Sequence, residues 1–345
     1  MRKRLSRLLL SVIIIFSFFT IVIKADETIK DGRPSKDGFL HVEGTDIVND
    51  KNERVILRGV STHGLTWYPQ YINEELFKDI SENWNCNLVR LAMYSEDYLV
   101  NKQKNMDKIY EGVKAAVDAD MYVMIDWHIL NDNDPNINIS AAKEFFEEVS
   151  NLYGDCPNVL YEICNEPNGD TTWEDICDYA NIIIPLIRFN APKSLIIVGT
   201  PNYDQDLESP MNNPLPYDDI LYCFHFYTAS HGQEFRNTVG KANLMGLPVF
   251  ISECGISEAS GDGKVDYDNA IEWFRFLHAK GISYAIWSLS NKEESASFIR
   301  ADSTEFEHLE DEDLTHIGKW IRELLRGTAP SDIPIEGYEQ NYNVW

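Results

Sequence analysis

The chain carries little positive charge and lacks the short motifs that mark cofactor and metal sites. Its 345 residues include 30 lysines and arginines against 56 aspartates and glutamates, a formal net charge of −26. Such a surface repels nucleic acid and anionic membranes, so neither is expected as a partner. No CxxC pair or His/Cys cluster has the spacing of metal ligands. No GxGxxG turn follows the first predicted strand, which argues against a dinucleotide site.

Cysteine is also sparse for a chain of this length. The sequence alone does not choose among the pairings that six cysteines allow. A chain this large buries enough apolar surface without disulfides as staples. We therefore expect buried free thiols at these positions, which are Cys86, Cys156, Cys164, Cys177, Cys223 and Cys254.

Long apolar runs are confined to the first 25 residues. Basic residues up to Arg7 precede an apolar run over 8–23, and Lys24-Ala25 supplies a small residue for cleavage. A membrane-spanning helix needs about 20 apolar residues, so this run fits a secretory signal better. We predict that residues 1–25 are a cleaved signal peptide and that the protein is secreted, with no membrane partner after cleavage. An uncleaved N-terminal anchor is the alternative.

Beyond residue 25, strand-like apolar runs alternate with helical patterns. Residues 26–37 form a polar lead-in, and 39–42 with 46–48 predict a short hairpin. Eight further strands are predicted at 54–60, 88–92, 122–126, 159–163, 195–198, 220–226, 249–252 and 284–287. Helices are predicted at 73–84, 106–119, 140–153, 173–189, 233–245, 266–280 and 315–325. Residues 328–345 are predicted to be a short C-terminal tail.

The strands indicate an α/β fold because most of them are continuous apolar runs. Such strands are buried on both faces, as in a parallel sheet covered by helices. Eight strand–helix units predict a closed (β/α)8 barrel, a TIM barrel, as a single domain over residues 38–327 with a short N-terminal β-hairpin. A doubly wound open sheet is the alternative, and the missing glycine-rich turn argues against it.

Two glutamates stand where apolar strands end. Glu166 follows the run 159–163 and precedes Pro167, and Glu253 ends the run 249–252. Partial desolvation at such a position raises a carboxyl pKa and suits the group to hold a proton near neutral pH. A pair of this kind is what an acid/base and a nucleophile require, provided that the fold brings the two together.

Further polar and aromatic residues stand at the ends of other predicted strands. The carboxyl ends of barrel strands meet at one face, so these side chains are expected to converge with the two glutamates. For any one of them a structural role is the simpler interpretation, but a whole set at the same end favours a site. The set consists of His63, Arg90, Tyr94, His128, Asn165, His225, Tyr227 and Trp287.

Seven short segments, taken in order, carry a resemblance to a known family. They are 58–65 (RGVSTHGL), 89–94 (VRLAMY), 125–128 (IDWH), 165–167 (NEP), 224–227 (FHFY), 252–253 (SE) and 287–289 (WSL). In these the chain resembles the family 5 glycoside hydrolases (cellulase family A), of the bacterial endo-β-1,4-glucanase type. The resemblance extends from about Gly38 to about Arg326, so the barrel is expected to be the catalytic domain.

The resemblance implies a retaining mechanism that uses the two glutamates. Glu166 is expected to be the general acid/base and Glu253 the nucleophile, with carboxyl groups about 5–5.5 Å apart. Glu253 has to stay ionised, and Glu166 has to hold a proton, which apolar strand surroundings are expected to favour. Neither a metal nor an organic cofactor is expected, because two carboxylates supply all the proton transfers.

The resemblance also assigns supporting roles to five polar residues. Arg90 and the Tyr227 hydroxyl are expected to hold Glu253 charged. Asn165 is expected to hydrogen-bond the 2-hydroxyl of the sugar. His128 and His225 are expected to orient the sugar or the carboxylates.

Aromatic side chains are expected to line the cleft, since sugar rings present flat C–H faces. By resemblance Trp287 lies under the sugar at the cleavage point, and Tyr203 stands in the loop after strand five where relatives often carry tryptophan. Cys254 and Ile286 are further departures from the family pattern, and all three put subsite affinities in doubt. The remaining expected substrate contacts are His63, Trp67, Tyr94, Lys292 and Glu294.

The predicted function is hydrolysis of internal β-1,4 bonds in cellulose or β-glucan by a secreted monomer. A β-mannanase or xyloglucanase is the alternative within the enzyme class, because the same catalytic pair serves several polysaccharide backbones. A non-catalytic carbohydrate-binding barrel is the alternative from another class. It predicts that oligosaccharides bind but that no new reducing ends appear.

Overall fold

Eight parallel strands close into a barrel in the computed structural model, which describes residues 29–335. The strands are β1 (Arg58–Thr62), β2 (Leu88–Tyr94), β3 (Tyr122–His128), β4 (Val159–Glu162), β5 (Ile196–Val198), β6 (Ile220–Tyr227), β7 (Val249–Gly255) and β8 (Tyr284–Leu289). Each strand pairs with its neighbours in chain order, and β8 pairs with β1 to close the ring. The barrel prediction is confirmed, and the open-sheet alternative is wrong.

The strands are buried over their whole length, which explains their apolar sequence. Side chains alternate between a layer that packs against the helices and a layer that fills the barrel. Along β3 the inward residues are Tyr122 and Met124, then Asp126 and His128. Inward side chains are therefore apolar near the amino end of the barrel and polar near its carboxyl end, where the site lies.

The predicted hairpin closes the amino end of the barrel. Its strands, Leu40–Glu43 and Asp46–Asn49, pair antiparallel. Leu40 and Ile47 pack in the same buried cluster as the inward residue Leu88 of β2. The hairpin thus seals the apolar end of the barrel interior from water.

Long helices cover the outside of the barrel at the predicted places, with ends shifted by a few residues. They are α1 (Glu74–Asn83), α2 (Lys102–Asp118), α3 (Ile139–Tyr153), α4 (Trp173–Asn190), α5 (Gln233–Leu244), α6 (Tyr267–Lys280) and α7 (His316–Leu325). Asn73 caps α1 as predicted, since its side chain accepts a hydrogen bond from the Leu76 backbone N–H at 2.8 Å. Thr172 forms a capping box with Asp175 at the start of α4.

Several short elements were not predicted. The connection from β5 to β6 is a loop whose segment Pro201–Asp204 has left-handed backbone at 202–204, followed by a short helix, Glu208–Asn212. Ser95–Val100 forms a short helix after β2. The predicted strand 54–60 is divided into Val55–Ile56 and β1. Propensity and periodicity carry little information over such short stretches.

The two ends of the described chain pack against the barrel. Lys30–Asp31, in the predicted lead-in, pairs with Val55–Ile56, and Pro34–Asp37 forms one helical turn. In the predicted tail, Pro330–Asp332 forms a 3-10 turn and Ile333 is buried. The predicted signal peptide and the last part of the tail lie outside the described residues. Within 29–335, no helix combines the length and hydropathy needed to cross a membrane.

Candidate active site

A cleft of about 240 Å³ opens at the carboxyl end of the barrel. The predicted site residues that line it are all aromatic or titratable. They are His63, Trp67, Tyr94, His128, Glu166, Tyr227, Glu253, Trp287, Lys292 and Glu294. Leu130 and the loop Ala259–Gly261 also line the cleft and were missed, because neither stands directly at a strand end.

Glu253 lies on β7 with both carboxylate oxygens occupied. The Tyr227 hydroxyl donates to Oε1 at 2.7 Å, and Nη1 of Arg90 donates to Oε2 at 2.9 Å. Burial by itself raises the pKa of Glu253, but the charges of His225 and Arg90 and the tyrosine hydrogen bond outweigh it. The net result is a pKa below the ordinary value, so Glu253 is ionised at neutral pH.

Arg90 is fully buried on β2 and organises the floor of the site. Besides Glu253, its guanidinium donates to Glu162 Oε2 and to Asn165 Oδ1, each at 2.6 Å. It also forms an ion pair with Asp126 at 2.9 Å. Burial by itself lowers the pKa of Arg90, but the surrounding carboxylates raise it well above the usual value. A buried guanidinium with so many acceptors is a fixed positive charge beneath Glu253.

Glu166 follows β4 and is more exposed, with 17% of its side chain accessible. Its backbone lies in the left-handed region, with φ of 43°, and its N–H donates to Asp204 Oδ2 at 2.8 Å. Its Oε1 lies 3.0 Å from Nδ1 of His225. Apolar surroundings were expected for Glu166, and that expectation is wrong, because an imidazole and a buried carboxylate adjoin it.

The carboxylates of Glu166 and Glu253 face each other across the cleft. An oxygen of each, together with a ring nitrogen of His225, lies within 4.8 Å of the others. Retaining glycosidases hold their two carboxyl groups about 5–5.5 Å apart, and inverting ones about 6.5–9.5 Å apart. The nearest oxygens of the two groups are thus closer together than the carboxyl groups of an inverting enzyme.

The two histidines of the floor have opposite electrostatic surroundings. Burial lowers the pKa of His128 to about 3, and its Nδ1 lies 2.7 Å from Asp126. Burial also acts to lower the pKa of His225, but Asp204 and Glu166 raise it to about 9. His128 is therefore neutral, whereas His225 carries a positive charge beside Glu166.

Asn165 is fully buried between the histidine and the arginine. Its Oδ1 accepts from Arg90, and its Nδ2 donates to the Ile129 carbonyl at 3.0 Å and lies 3.3 Å from His128 Nε2. These contacts fix the orientation of the amide. Its expected hydrogen bond to a sugar hydroxyl stays a prediction.

Aromatic rings form one wall of the cleft. The ring of His63 lies 4.8 Å from that of Trp287 and 5.4 Å from that of Trp67, and Trp67 lies 4.5 Å from Tyr94. Trp67 is 49% exposed, unlike the other three. Flat apolar faces open to solvent are suited to stack on sugar rings.

A charged pair adjoins the aromatic wall. Lys292 Nζ lies 2.6 Å from Glu294 Oε2, and Glu294 Oε1 lies 3.9 Å from His63 Nε2. Burial raises the pKa of Glu294, although Lys292 acts against this. The pair thus places a cation and a carboxylate on the wall of the cleft, and its expected contact with sugar hydroxyls stays a prediction.

Tyr203 does not line the cleft in the described structure. Its side chain is 44% exposed, and its backbone, with φ of 60°, lies in the left-handed region together with Asn202 and Asp204. Its N–H donates to the Pro167 carbonyl at 3.0 Å. Its expected contact with substrate remains a prediction.

Four buried residues of the floor were missed: Asp126, Glu162, Asp204 and Ser252. Glu162 and Asp126 could have been found, because each lies two residues beyond an inward apolar residue of its strand. Asp204 could not, since it comes from an irregular loop. Ser252 precedes Glu253 in the segment 252–253, but the segment alone does not indicate a role for the serine.

Two groups of acidic, thiol and imidazole atoms within the described chain are close enough to suggest a metal ion. They are Glu162 with Cys223 and His225, and Glu166 with His225 and Glu253. Arg90 pairs with both Glu162 and Glu253, and Tyr227 uses the second oxygen of Glu253. The arrangement therefore fits ion-paired carboxylates better than metal ligands.

The six cysteines form no disulfide, as expected. Four of them are buried as expected, but Cys156 and Cys177 are only half-buried.

Comparisons with known proteins show the family to which this chain belongs. The sequence profile described as Cellulase (glycosyl hydrolase family 5) matches residues 48–293. Endoglucanase A of Butyrivibrio fibrisolvens is 42% identical over 316 residues, which cover 89% of this chain and 73% of that protein. An endoglucanase of Clostridium saccharobutylicum is 38% identical over 318 residues, covering 91% of this chain and 71% of that protein.

Solved structures give the same result. The catalytic domain of Thermobifida fusca endoglucanase Cel5A (E5) superimposes with a TM-score of 0.82 at 32% identity, covering 86% of this chain and 100% of that one. Cellulase Cel5C_n superimposes with a TM-score of 0.81 at 36% identity, covering 86% and 95%. The profile match over residues 48–293 spans all eight strands of the barrel.

Proposed function

The chain belongs to glycosyl hydrolase family 5 and is an endo-β-1,4-glucanase, and we propose that Glu166 and Glu253 perform its reaction by double displacement. One observation carries the assignment of roles. Two carboxylates within 4.8 Å of each other have different partners. Glu253 is held ionised by a buried arginine and a tyrosine, whereas Glu166 is more exposed and shares its oxygen with an imidazole.

In the first step, a carboxylate oxygen of Glu253 bonds to the anomeric carbon while the glycosidic C–O bond breaks. The carboxylic acid of Glu166 gives its proton to the departing oxygen, which leaves as an alcohol. In the second step, Glu166 takes a proton from water, and the water oxygen displaces Glu253 from the anomeric carbon. Two inversions give net retention, and both glutamates return to their starting protonation states.

The substrate is a β-glucan, and the open aromatic wall is suited to bind several of its sugar rings. A variant of the Thermobifida fusca domain has been solved in complex with cellotetraose. We infer that Trp67, Tyr94 and Trp287 stack on successive rings and that Lys292 and Glu294 bind hydroxyls. Assays on carboxymethylcellulose, lichenan and mannan test the preference for glucan, and activity on mannan alone would overturn it.

Covalent trapping tests the two roles directly. A 2-deoxy-2-fluoro cellobioside with an activated leaving group is expected to accumulate as a glycosyl-enzyme, because the fluorine slows its hydrolysis. Peptide mass spectrometry should find the label on Glu253. A label on Glu166, or hydrolysis that inverts the anomeric configuration, contradicts the assignment.

The sequence pattern also leads to proposals about export, domain bounds and oligomeric state. We propose that residues 1–25 direct export and are removed, that 38–327 form the catalytic domain, and that the secreted protein is a monomer. N-terminal sequencing of the exported protein and light scattering of the purified protein test these points. An intact N-terminus, or the mass of a dimer, would contradict them.

A further inference from the structure

A chain of buried hydrogen bonds runs beneath the cleft and joins the two catalytic glutamates from below. In order, it consists of Glu253, Arg90, Glu162, Ser252, His225 and Glu166. The four linking side chains are at most 1% exposed. Two of them, Glu162 and Ser252, have no part in the reaction described above.

The direction of the hydrogen bonds follows from counting donors at Ser252. Glu162 forms an ion pair with Arg90 through Oε2 at 2.6 Å, and as a carboxylate it accepts from the Ser252 hydroxyl at Oε1. A hydroxyl has one hydrogen, and Ser252 uses it on Glu162. Its lone pairs then face Nε2 of His225 at 3.0 Å, and this contact requires a proton on Nε2.

A proton fixed on Nε2 determines what the other ring nitrogen can do. Nδ1 of His225 lies 3.0 Å from Glu166 Oε1. There it either accepts the proton of a carboxylic acid or donates one to a carboxylate. Nδ1 is thus the one ring position through which the imidazole shares a proton with Glu166.

We propose that Ser252 and Glu162 are positioning residues for the acid/base. They hold the ring of His225 and its Nε2 proton in place and thereby aim Nδ1 at Glu166. The proposal rests on the acid/base role proposed for Glu166 and extends it into the floor of the barrel.

The other groups around His225 are consistent with this direction. Asp204, from the loop after β5, lies 3.5 Å from Nε2 and is a second acceptor for the same proton. The remaining titratable neighbours come from β4, β6 and β7 and from the loop after β4. They are Glu162, Cys223, Glu253 and Glu166, whose polar atoms lie within 4.8 Å of a ring nitrogen. The three glutamates among them are acceptors as carboxylates, and the Cys223 thiol contacts Ser252 Oγ at 2.7 Å.

The Ser252→Ala variant tests the proposal with two substrates. A cello-oligosaccharide has a leaving group that needs a proton, whereas 2,4-dinitrophenyl β-cellobioside does not. We expect kcat/KM to fall about tenfold on the oligosaccharide, a part of the roughly 10²–10⁴-fold that general acid catalysis supplies. On the activated substrate it should stay near the value of the unchanged enzyme. Equal losses on both substrates, or no loss on either, overturn the proposal.

Two further variants separate positioning from simple loss of packing. Glu162→Gln is expected to reproduce the leaving-group dependence, because an amide can present its NH2 group to the serine. Cys223→Ala is the matched control: it removes a thiol 2.7 Å from Ser252 Oγ but leaves the contact of the serine with the histidine. It should keep the ratio between the two substrates, and a changed ratio contradicts the proposal.

The position of the His225 proton can be measured by NMR in the protein of unchanged sequence, so this test does not depend on whether Ser252→Ala folds. In protein labelled with ¹⁵N-histidine, the signals of His225 are assigned by their loss in His225→Gln. Nε2 is expected to remain protonated when the ring becomes neutral, and a neutral ring with its proton on Nδ1 overturns the proposal. Glu166→Gln separates the acid/base role of Glu166 from the positioning role of Ser252. If Glu166→Gln keeps full activity on the oligosaccharide, Glu166 is not the acid. If Glu166→Gln loses that activity but Ser252→Ala does not, Glu166 is the acid and Ser252 does not position it.

Discussion

The two glutamates proposed to be catalytic, Glu253 and Glu166, have different hydrogen-bond partners. Glu253 lies within a strand, and its partners Arg90 and Tyr227 lie on two other strands of the barrel. Glu166 lies beyond the end of its strand, and its backbone is tied to a loop carboxylate, Asp204. The nucleophile thus has rigid partners that keep one charge state. The acid/base has partners that can exchange a proton, as a group that changes its charge during the reaction requires.

Replacing the nucleophile is expected to have the largest effect. Glu253→Gln keeps the shape of the side chain but removes the attacking charge, so kcat on carboxymethylcellulose should fall by at least about 10⁴-fold. The exposed Glu258 is a matched control five residues later, and Glu258→Gln should retain activity. If Glu253→Gln kept more than a small part of the activity, Glu253 would not be the nucleophile.

Replacing the acid/base should have a smaller effect that depends on the substrate. Glu166→Gln is expected to lower kcat/KM on cello-oligosaccharides by about 10²–10⁴-fold, because the departing oxygen receives no proton. An aryl cellobioside with a good leaving group should be cleaved with little loss in kcat/KM. A loss of the same size on both substrates would mean that Glu166 acts on the nucleophile or on binding.

Removing one partner of Glu253 tests how its charge is held. Tyr227→Phe deletes a hydrogen bond to a carboxylate, a contribution of about 1.5–3 kcal/mol, or about 10–100-fold in kcat/KM. The hydrogen bond lowers the pKa of Glu253, so its loss raises that pKa. Since the ionised form is the active one, the acid limb of the pH–rate profile should move to higher pH. Tyr217→Phe is the control, and an unmoved limb in Tyr227→Phe would contradict this account.

The smallest expected effect concerns the charge near the acid/base. Asp204 is the main cause of the raised pKa of His225, about 9 against an ordinary 6.5. A raised histidine pKa stabilises the fold fully below pH 6.5, and this stability is lost as the pH rises to about 9. Asp204→Asn should lower the pKa of His225 and make the free energy of unfolding depend less on pH. Urea unfolding between pH 6 and pH 9, with Asp206→Asn as control, measures it; an unchanged slope in Asp204→Asn would show that other groups dominate.

The sequence predicted the fold because the pattern that decides it is repeated. Eight apolar runs separated by amphipathic helices specify strands that are buried on both faces, and only a covered parallel sheet satisfies that. The stretches that were missed, such as Ser95–Val100 and Pro201–Asp204, are short. Their conformation depends on contacts with the barrel rather than on local periodicity.

The candidate site was predicted in part, for a related reason. Residues that stand at strand ends, such as Arg90, His225 and Tyr227, could be found because strand direction places them at one face of the barrel. The polar surroundings of Glu166 could not be found. They depend on Asp204, which is brought beside the backbone of Glu166 by a loop with three consecutive left-handed residues.

The sequence by itself determined that buried strands alternate with helices and that two glutamates stand at strand ends, because apolar runs and side-chain alternation are local properties. Only the tertiary structure decided that the strands close into a ring, and only it gave the surroundings that set the pKa of Glu253 and the contacts of Glu166. The reason is that a pKa depends on burial and on the charges within a few ångströms. For Glu166 and Glu253 those charges come from residues far away in the chain.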